Sequence, residues 1–182
     1  MRGAAAALAV AGALFAMPAG AVEREHHLGI DAGVGILAMS DKTDVGPGLG
    51  AHWAYGLSDA FNLMVEGGWS LVAPGESATS TSTPRTRPAS AANLGVGVGY
   101  VFDVLTWVPY AGVLVGGYAL SGGTLDSTQW IPGAALALGL DYRLSRAVAV
   151  GVAFRQHVLA TQTSTYPSFT QAFARVEYTW GW

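Results

Sequence analysis

The feature that most constrains this chain is an alternation of apolar and small or polar residues with a period of two. In the first such run, Leu28, Ile30 and Val34 have one parity, while Gly29 and Asp31 have the other. Successive side chains of a β-strand point to opposite sides, so this period predicts strands rather than helices. The alternation occurs in eight segments, at 28–36, 49–56, 61–71, 93–100, 107–118, 134–143, 148–157 and 173–182.

The direction of the apolar face decides the kind of protein. Seven charged residues share the small-residue face: Asp31, Glu66, Asp141, Arg143, Arg155, Arg175 and Glu177. If that face pointed at lipid, the total cost would be about 15 kcal/mol, at about 2–4 kcal/mol for a basic residue and less for an acid. The apolar face must therefore point outward. This predicts an all-β fold, an eight-stranded antiparallel up-and-down transmembrane β-barrel. A lipocalin-like carrier has the opposite polarity and is disfavoured.

The connections alternate in length. Short turns are predicted at 58–60, 103–105 and 145–146, and longer polar links near 40–47, 74–91, 121–128 and 160–168. Long loops on one rim and tight turns on the other are the asymmetry of outer-membrane barrels. The phase of the fifth strand is ambiguous, and we favour Pro109, Ala111, Val113 and Val115 on the outside.

Composition excludes several classes of protein. Hydrophobic residues make up 51% of the 182 residues and charged residues 12%, while 25 glycines argue against long helices. The net charge is −3, whereas nucleic-acid-binding domains are usually basic, so nucleic acid is not an expected partner. Cysteine is absent, which removes disulfides, thiol catalysis and cysteine metal sites.

The N-terminal segment is typical of a secretory signal peptide. Arg2 supplies a positive charge, residues 4–16 are apolar, and Pro18 precedes the small residues of Ala19-Gly20-Ala21. We expect cleavage after Ala21, which leaves residues 22–182 as the barrel. A transmembrane helix is the competing interpretation, and the alanine-rich content and Pro18 disfavour it.

The end of the chain resembles the C-terminal signal of small bacterial outer-membrane β-barrels. There the chain ends on an aromatic residue preceded by alternating apolar positions, which Tyr178, Trp180 and Trp182 match, whereas Glu177 stands where that family often has glycine. The segments 108–112 and 139–144 also look like this superfamily, which includes the transmembrane domain of outer membrane protein A. The resemblance implies residence in the bacterial outer membrane, contact with its lipid and lipopolysaccharide, and recognition by the barrel assembly machinery.

The inward charges are the first candidates for chemistry. Four acids and three arginines inside a narrow barrel should pair, since an unpaired buried charge costs several kcal/mol. A structural plug of ion pairs is favoured over a gated ion path.

The histidines of the chain do not match the catalytic motifs of the lipid A enzymes that share this fold. Lipid A deacylases on this fold have histidine and serine two residues apart, and neither His52 nor His157 has that neighbour. For a palmitoyltransferase, no motif connects His157 with Ser164 or Ser168. We interpret His157 as an interior hydrogen-bonding residue.

No catalytic, cofactor or metal site is predicted. The short cluster of His26 and His27 with Glu23 and Glu25 could touch a metal, but a solvated terminus is the better interpretation.

The loop at 74–90 is the most distinctive outward feature. Seven small hydroxyl or alanine residues at 77–83 precede Pro84-Arg85-Thr86-Arg87-Pro88. Such a segment cannot bury a core, and Arg85 and Arg87 could meet lipopolysaccharide or an acidic partner. The predicted function is a non-enzymatic outer-membrane barrel with a structural or surface-interaction role through its loops. A protein of the envelope is a further candidate partner. The alternatives are a small pore with a polar lumen or a lipid-modifying enzyme.

Overall fold

The chain forms a closed antiparallel barrel in the computed structural model, which describes residues 24–40, 42–72, 87–102 and 106–181. The eight strands of these described ranges are β1 His26–Ala38, β2 Thr43–Gly56, β3 Phe61–Leu71, β4 Ser90–Val101, β5 Trp107–Ser121, β6 Gln129–Arg143, β7 Val148–Leu159 and β8 Ser168–Trp180. Each strand pairs with its neighbours in sequence, and β1 pairs with β8. The predicted eight-stranded up-and-down topology is confirmed. The predicted signal peptide, residues 1–21, lies outside the described residues.

Each strand turns its apolar parity outward, as the alternation predicts. Ile30 is 71% exposed on the outside of β1, while Asp31 next to it is buried. The fifth strand also has the favoured phase, because Val113 and Val115 are each 64% exposed and Leu114 between them is buried. No described segment is a helix long and apolar enough to cross a membrane.

The two rims differ in their connections. The terminal rim carries the start of β1, the end of β8 and the links 57–60, 102–106 and 144–147. The loop rim carries the links 39–42, 72–89, 122–128 and 160–167. The predicted alternation of long and short links is therefore wrong at one place, since the link expected near 40–47 is only four residues long. Thr43 and Asp44 of that segment belong to β2. Asp44 points inward and is buried, and its Oδ1 lies 3.1 Å from Lys42 Nζ.

Serine side chains shape two turns of the terminal rim. Ser58 Oγ accepts from the backbone N–H of Phe61 at 3.2 Å, and Ser145 Oγ accepts from the N–H of Val148 at 3.1 Å. A short hydroxyl side chain can satisfy a backbone donor in this way where the strand ladder ends. Both turns can therefore be short without leaving these N–H groups unpaired.

At the loop rim, a pair of glycines turns the chain after β5. Gly122 and Gly123 have φ values of 72° and 64°, a region that favours glycine. This turn brings Thr124 and Leu125 back over the mouth of the barrel, where both are buried. The lumen is thus covered on this side by its own connections.

Candidate functional site

The lumen has a wall made mostly of ionic side chains (the ionic wall) and a wall with a buried apolar cluster (the apolar wall), whose strands also carry His52, Glu66 and Asp141. Strands β1, β7 and β8 supply Asp31, Arg155, Arg175 and Glu177 to the ionic wall, and all four are buried. The apolar wall comes from β2, β3, β5 and β6 and consists of Ala54, Met64, Tyr110, Leu114, Ala135 and Ala137. An eight-stranded barrel leaves room for side chains only. Inward polar groups must therefore pair mainly with one another.

Arg155 on β7 reaches across the lumen to Glu66 on β3. Its Nη2 donates to Glu66 Oε1 at 2.5 Å, and its Nε donates to Oε2 of the same carboxylate. The other N–H groups donate to the Tyr110 hydroxyl at 3.0 Å and to the carbonyl oxygens of Leu138 and Phe154 at 3.2 Å each. All five guanidinium N–H groups therefore have acceptors.

Arg175 on β8 organises a second ionic layer nearer the terminal rim. Its Nη2 donates to Glu177 Oε2 at 3.1 Å, and its Nε lies 3.7 Å from Asp31 Oδ1 and 3.6 Å from Asp141 Oδ1. It also donates to the Tyr110 hydroxyl, and its guanidinium carbon lies 5.1 Å from the centre of that ring. One arginine thus holds carboxylates from β1, β6 and β8 together.

Two histidines complete this layer, and the sequence analysis did not assign them to it. His52 Nδ1 lies 3.1 Å from Asp31 Oδ2, and its Nε2 lies 3.1 Å from Glu177 Oε2 and also contacts Arg175. His27 Nδ1 lies 2.8 Å from Glu177 Oε1. The signal that could have found them is their parity, because each occupies the same face as the inward charges of its strand.

Arg143, the remaining arginine of the predicted charge network, is half-buried at the terminal end of β6. It lines a cavity of about 40 Å³ together with His27, Asn62, Asp141 and Glu177. A buried water needs roughly 10–15 Å³ of such space, so the cavity has room for about three waters. The structure thus places the seven predicted network residues in the lumen, with Arg143 at its edge.

His157 lies between the ionic layers and the loop rim. The Tyr118 hydroxyl lies 3.0 Å from its Nδ1, and its Nε2 lies 3.0 Å from Gln171 Oε1. Since the amide oxygen can only accept, Nε2 donates to it. The Tyr118 hydroxyl also donates to the carbonyl oxygen of Ala134 at 3.3 Å. Gln171 in turn donates to Ser70 Oγ at 3.2 Å. His157 is therefore an interior residue whose two ring nitrogens both have hydrogen-bond partners.

An apolar plug closes the lumen at the loop rim. We define it as Leu37, Met39, Val72, Ala91, Tyr118, Leu120, Leu125, Ile131, Leu159, Tyr166 and Phe169, all of them buried. Tyr166 comes from the link 160–167, and burial raises the pKa of its hydroxyl. Because loop residues join strand residues in this cluster, the plug seals the end of the barrel rather than lining a passage.

The outward residues of the terminal rim are largely aromatic. Trp180 stacks on His26 with ring centres 5.3 Å apart, and Tyr178 lies 5.9 Å from Trp180. Amphipathic rings prefer the level of lipid headgroups. Tyr178 and Trp180 are thus placed as a girdle, and their role as an assembly signal stays a prediction. Trp182 lies outside the described residues.

Of the two predicted loop contacts, only Arg87 is described. Its side chain is 17% exposed, and its Nη2 lies 3.7 Å from Asp44 Oδ2. Its backbone N–H donates to Thr124 Oγ1 at 3.1 Å. Arg87 therefore ties the base of the link 72–89 to β2 and to the link 122–128. Arg85 lies outside the described residues.

Among the described residues, no group of three or more histidine, aspartate or glutamate side chains could hold a metal ion. The histidines near Arg175 contact carboxylates of neighbouring strands instead. The site is chemically a network of ion pairs and imidazole–carboxylate contacts.

The family of the chain follows from its sequence match. Residues 6–179 match the family described as outer membrane protein beta-barrel domain. The chain belongs to this family. The protein therefore lies in the outer membrane of a Gram-negative bacterium. The exposed apolar side chains on the outside of its strands face lipid. This confirms the resemblance and the localisation that the sequence predicted.

Solved structures show the same fold at low sequence identity. Neisserial surface protein A is 15% identical with a TM-score of 0.63, covering 86% of this chain and 97% of that one. The N-terminal barrel of OprF from Pseudomonas aeruginosa is 13% identical with a TM-score of 0.56, covering 85% and 97%. Ail of Yersinia pestis is 12% identical with a TM-score of 0.57, covering 87% and 99%. No curated protein matches the outer-membrane barrel significantly.

Proposed function

We propose that this barrel is a non-enzymatic surface protein that acts through the links of its loop rim, which face the outside of the cell. The observation that carries the proposal is the apolar plug. Leu37, Tyr166 and Phe169 are fully buried where a channel would have to open. Since the plug covers the lumen, the connections above it are what the barrel presents at that rim.

The plug also argues against the alternative of a small pore. A conducting path would have to pass the packed side chains of the plug and then the Arg155–Glu66 pair, which spans the lumen between opposite strands. We expect no steady conductance in planar bilayers from the purified barrel. Reproducible single-channel openings would favour the pore instead.

The environment of His157 argues against a lipid-modifying enzyme. Its two ring nitrogens are occupied by Tyr118 and Gln171 inside the lumen, and Ser164 is exposed on the link 160–167. A general base needs a free nitrogen within hydrogen-bond reach of the group it activates. Overexpression should therefore leave the acylation of lipid A unchanged in mass spectra.

The chemistry of the link 72–89 suggests an anionic polysaccharide, such as lipopolysaccharide, as the partner. Arg85 lies between prolines after a run of small hydroxyl residues, whereas Arg87 is engaged with Asp44. Ail, which shares the fold, has been solved in complex with the heparin analogue sucrose octasulfate. That likeness supports only the choice of a sulfated polyanion as a probe.

The test compares two arginines at opposite rims. Arg85→Gln should weaken binding of labelled heparin or lipopolysaccharide to the barrel in vesicles about five-fold, because one basic residue near an anionic surface contributes about 1 kcal/mol. Arg146→Gln, in an exposed turn of the terminal rim, is the matched control and should leave binding unchanged. Equal loss in both variants, or salt-independent binding, would contradict the proposal. If the barrel bound an acidic protein but neither polysaccharide, the partner would be a protein instead.

A further inference from the structure

A row of outward residues near the loop rim has a tryptophan at each end and two alanines between them. The strand register places Trp69 on β3, Ala92 on β4, Ala119 on β5 and Trp130 on β6 opposite one another in turn. Trp130 is 78% exposed, the largest value among the large hydrophobic side chains that the structure describes. Since neighbouring strands are about 4.8 Å apart, the backbones that carry the two indoles are about 14 Å apart, with only two methyl groups between them.

The surface of β5 is also open in the next outward row toward the middle of the barrel. A Cβ added at Gly117 would meet no atom within 4 Å. Its neighbours in the row are Leu94 on β4 and Pro132 on β6. The side chain of Leu94 turns the other way, since its Cδ1 would lie 3.7 Å from a Cβ added at Gly67. We define the Gly117 groove as the space over Gly117 between Leu94 and Pro132, which opens toward the loop rim beside Trp130.

The groove runs from the hydrocarbon layer to the headgroup level. Trp107 and Tyr142, with ring centres 4.9 Å apart, belong to the aromatic residues of the terminal rim. From Trp107 to Ala119, β5 rises about 30 Å if the strand is tilted by about 40°, and the apolar band of an outer-membrane barrel is about 25 Å tall. Trp130, which pairs with Ala119, therefore lies at the headgroup level near the loop rim. Gly117 lies at the edge of the hydrocarbon layer.

Two serines lie at the mouth of the groove. Ser90 on β4 and Ser121 on β5 are opposite each other, one outward position beyond Ala92 and Ala119. Their hydroxyl oxygens are 2.9 Å apart, and Ser90 Oγ also donates to the carbonyl oxygen of Ser121 at 3.5 Å. The pair can use its protons internally, and it keeps lone pairs that accept from an outside donor. A sugar hydroxyl is such a donor, whereas an ionised phosphate oxygen can only accept.

The occupant of the groove has to be amphipathic. On its inner side the groove continues into the lipid-facing surface at Val115, which is exposed. A hydrocarbon chain over Gly117 fits between Leu94 and Pro132, whose backbones are two strand spacings or about 10 Å apart. At the headgroup level, the indole of Trp130 offers an apolar face and an N–H donor. A pyranose ring matches it, because such a ring has C–H groups on its faces and hydroxyls at its edge.

We propose that the Gly117 groove binds a glycolipid of the outer leaflet. One acyl chain lies over Gly117, a sugar of the headgroup packs on Trp130, and hydroxyls of that sugar donate to Ser90 and Ser121. The assignment to the outer leaflet rests on the proposed function, because it requires the loop rim to face outside the cell. The groove is a site on the barrel wall, separate from the polyanion contact proposed for the link 72–89.

Native mass spectrometry of the detergent-solubilised barrel tests the groove by counting the lipid molecules that stay bound. The probes are lipid A, which has sugars and acyl chains, and phosphatidic acid, which has a phosphate and acyl chains without a sugar. The wild-type barrel should retain one molecule of lipid A and about ten-fold less phosphatidic acid, which lacks the stacking and hydroxyl contacts. Gly117→Leu should remove lipid A while the barrel still folds, because the new side chain occupies open space in the groove. Trp130→Ala should weaken retention about two- to ten-fold.

A control variant and a second ligand separate the groove from other sites. Trp107→Ala removes an outward indole, 52% exposed, from the terminal rim and should leave lipid A retention unchanged. Heparin has no acyl chain, so Gly117→Leu should leave heparin binding unchanged. If the barrel fails to bind heparin but Gly117→Leu still removes lipid A, the polyanion contact is wrong and the groove is supported. Equal retention of both lipids, or lipid A retention that Gly117→Leu leaves unchanged, would overturn the proposal.

Discussion

The ion pair that spans the lumen allows a quantitative prediction. Arg155 and Glu66 are both buried, and the carboxylate takes two of the five N–H groups of the guanidinium. Glu66→Met leaves those two donors and a full charge unpaired, and Arg155→Met leaves the carboxylate unpaired. Breaking one side of a buried pair costs about 3–5 kcal/mol. Each single variant should lose that much free energy of unfolding.

The double variant distinguishes the pair from two independent residues. Replacing both partners by apolar side chains of similar size is often neutral, since no charge is left buried alone. The variant with both Glu66→Met and Arg155→Met should therefore be more stable than either single variant, with a coupling energy of about 3 kcal/mol or more. This coupling energy is well above the deviation from additivity of roughly 0.5 kcal/mol that is usual for two independent sites.

Urea unfolding in phospholipid vesicles, followed by tryptophan fluorescence, measures these differences. With an m-value of about 2 kcal/mol per M, each single variant should shift the midpoint by about 2 M. Lys42→Met is the control, because Lys42 is 47% exposed and its buried partner Asp44 keeps Arg87 Nη2 at 3.7 Å. An ion pair with an exposed partner contributes about 1 kcal/mol or less. If the losses of the two single variants simply add in the double variant, the pair is not an energetic unit and the reasoning is refuted.

Three further predictions use the same unfolding measurement. Val113→Arg places a charge on the lipid-facing middle of β5 and should cost about 2–4 kcal/mol, whereas Leu144→Arg at the terminal rim should cost about 1 kcal/mol or less; equal costs would contradict the assigned membrane belt. Gly97→Ala should cost about 1–3 kcal/mol because its Cβ would lie 1.9 Å from the carbonyl oxygen of Val113. Gly117→Ala meets nothing within 4 Å and should change stability by less than about 0.5 kcal/mol. Phe169→Ala opens a cavity in the apolar plug and should cost about 3–5 kcal/mol, and an unchanged midpoint would mean that the plug is loosely packed.

The alternation of residue types is enough to predict which side chains face lipid and which face the lumen. The parity of residues such as Ile30 and Asp31 is a local property, and a membrane penalises the wrong choice at every position of a strand. The family and the outer-membrane location follow from the same pattern. The same alternation predicts that His52 points inward, although it does not predict the partners of His52.

Which inward groups contact one another depends on how the barrel closes. Glu66 and Arg155 are 89 residues apart, and they touch because β3 and β7 lie on opposite sides of a closed barrel. Likewise, the network of His27, His52 and Glu177 exists only because β8 returns to β1. The prediction of a long link near 40–47 was wrong because it relied on the polarity of that segment. Polarity does not distinguish a loop residue from a buried strand residue such as Asp44, which pairs with Lys42. Such partnerships depend on closure and register, which no local pattern encodes.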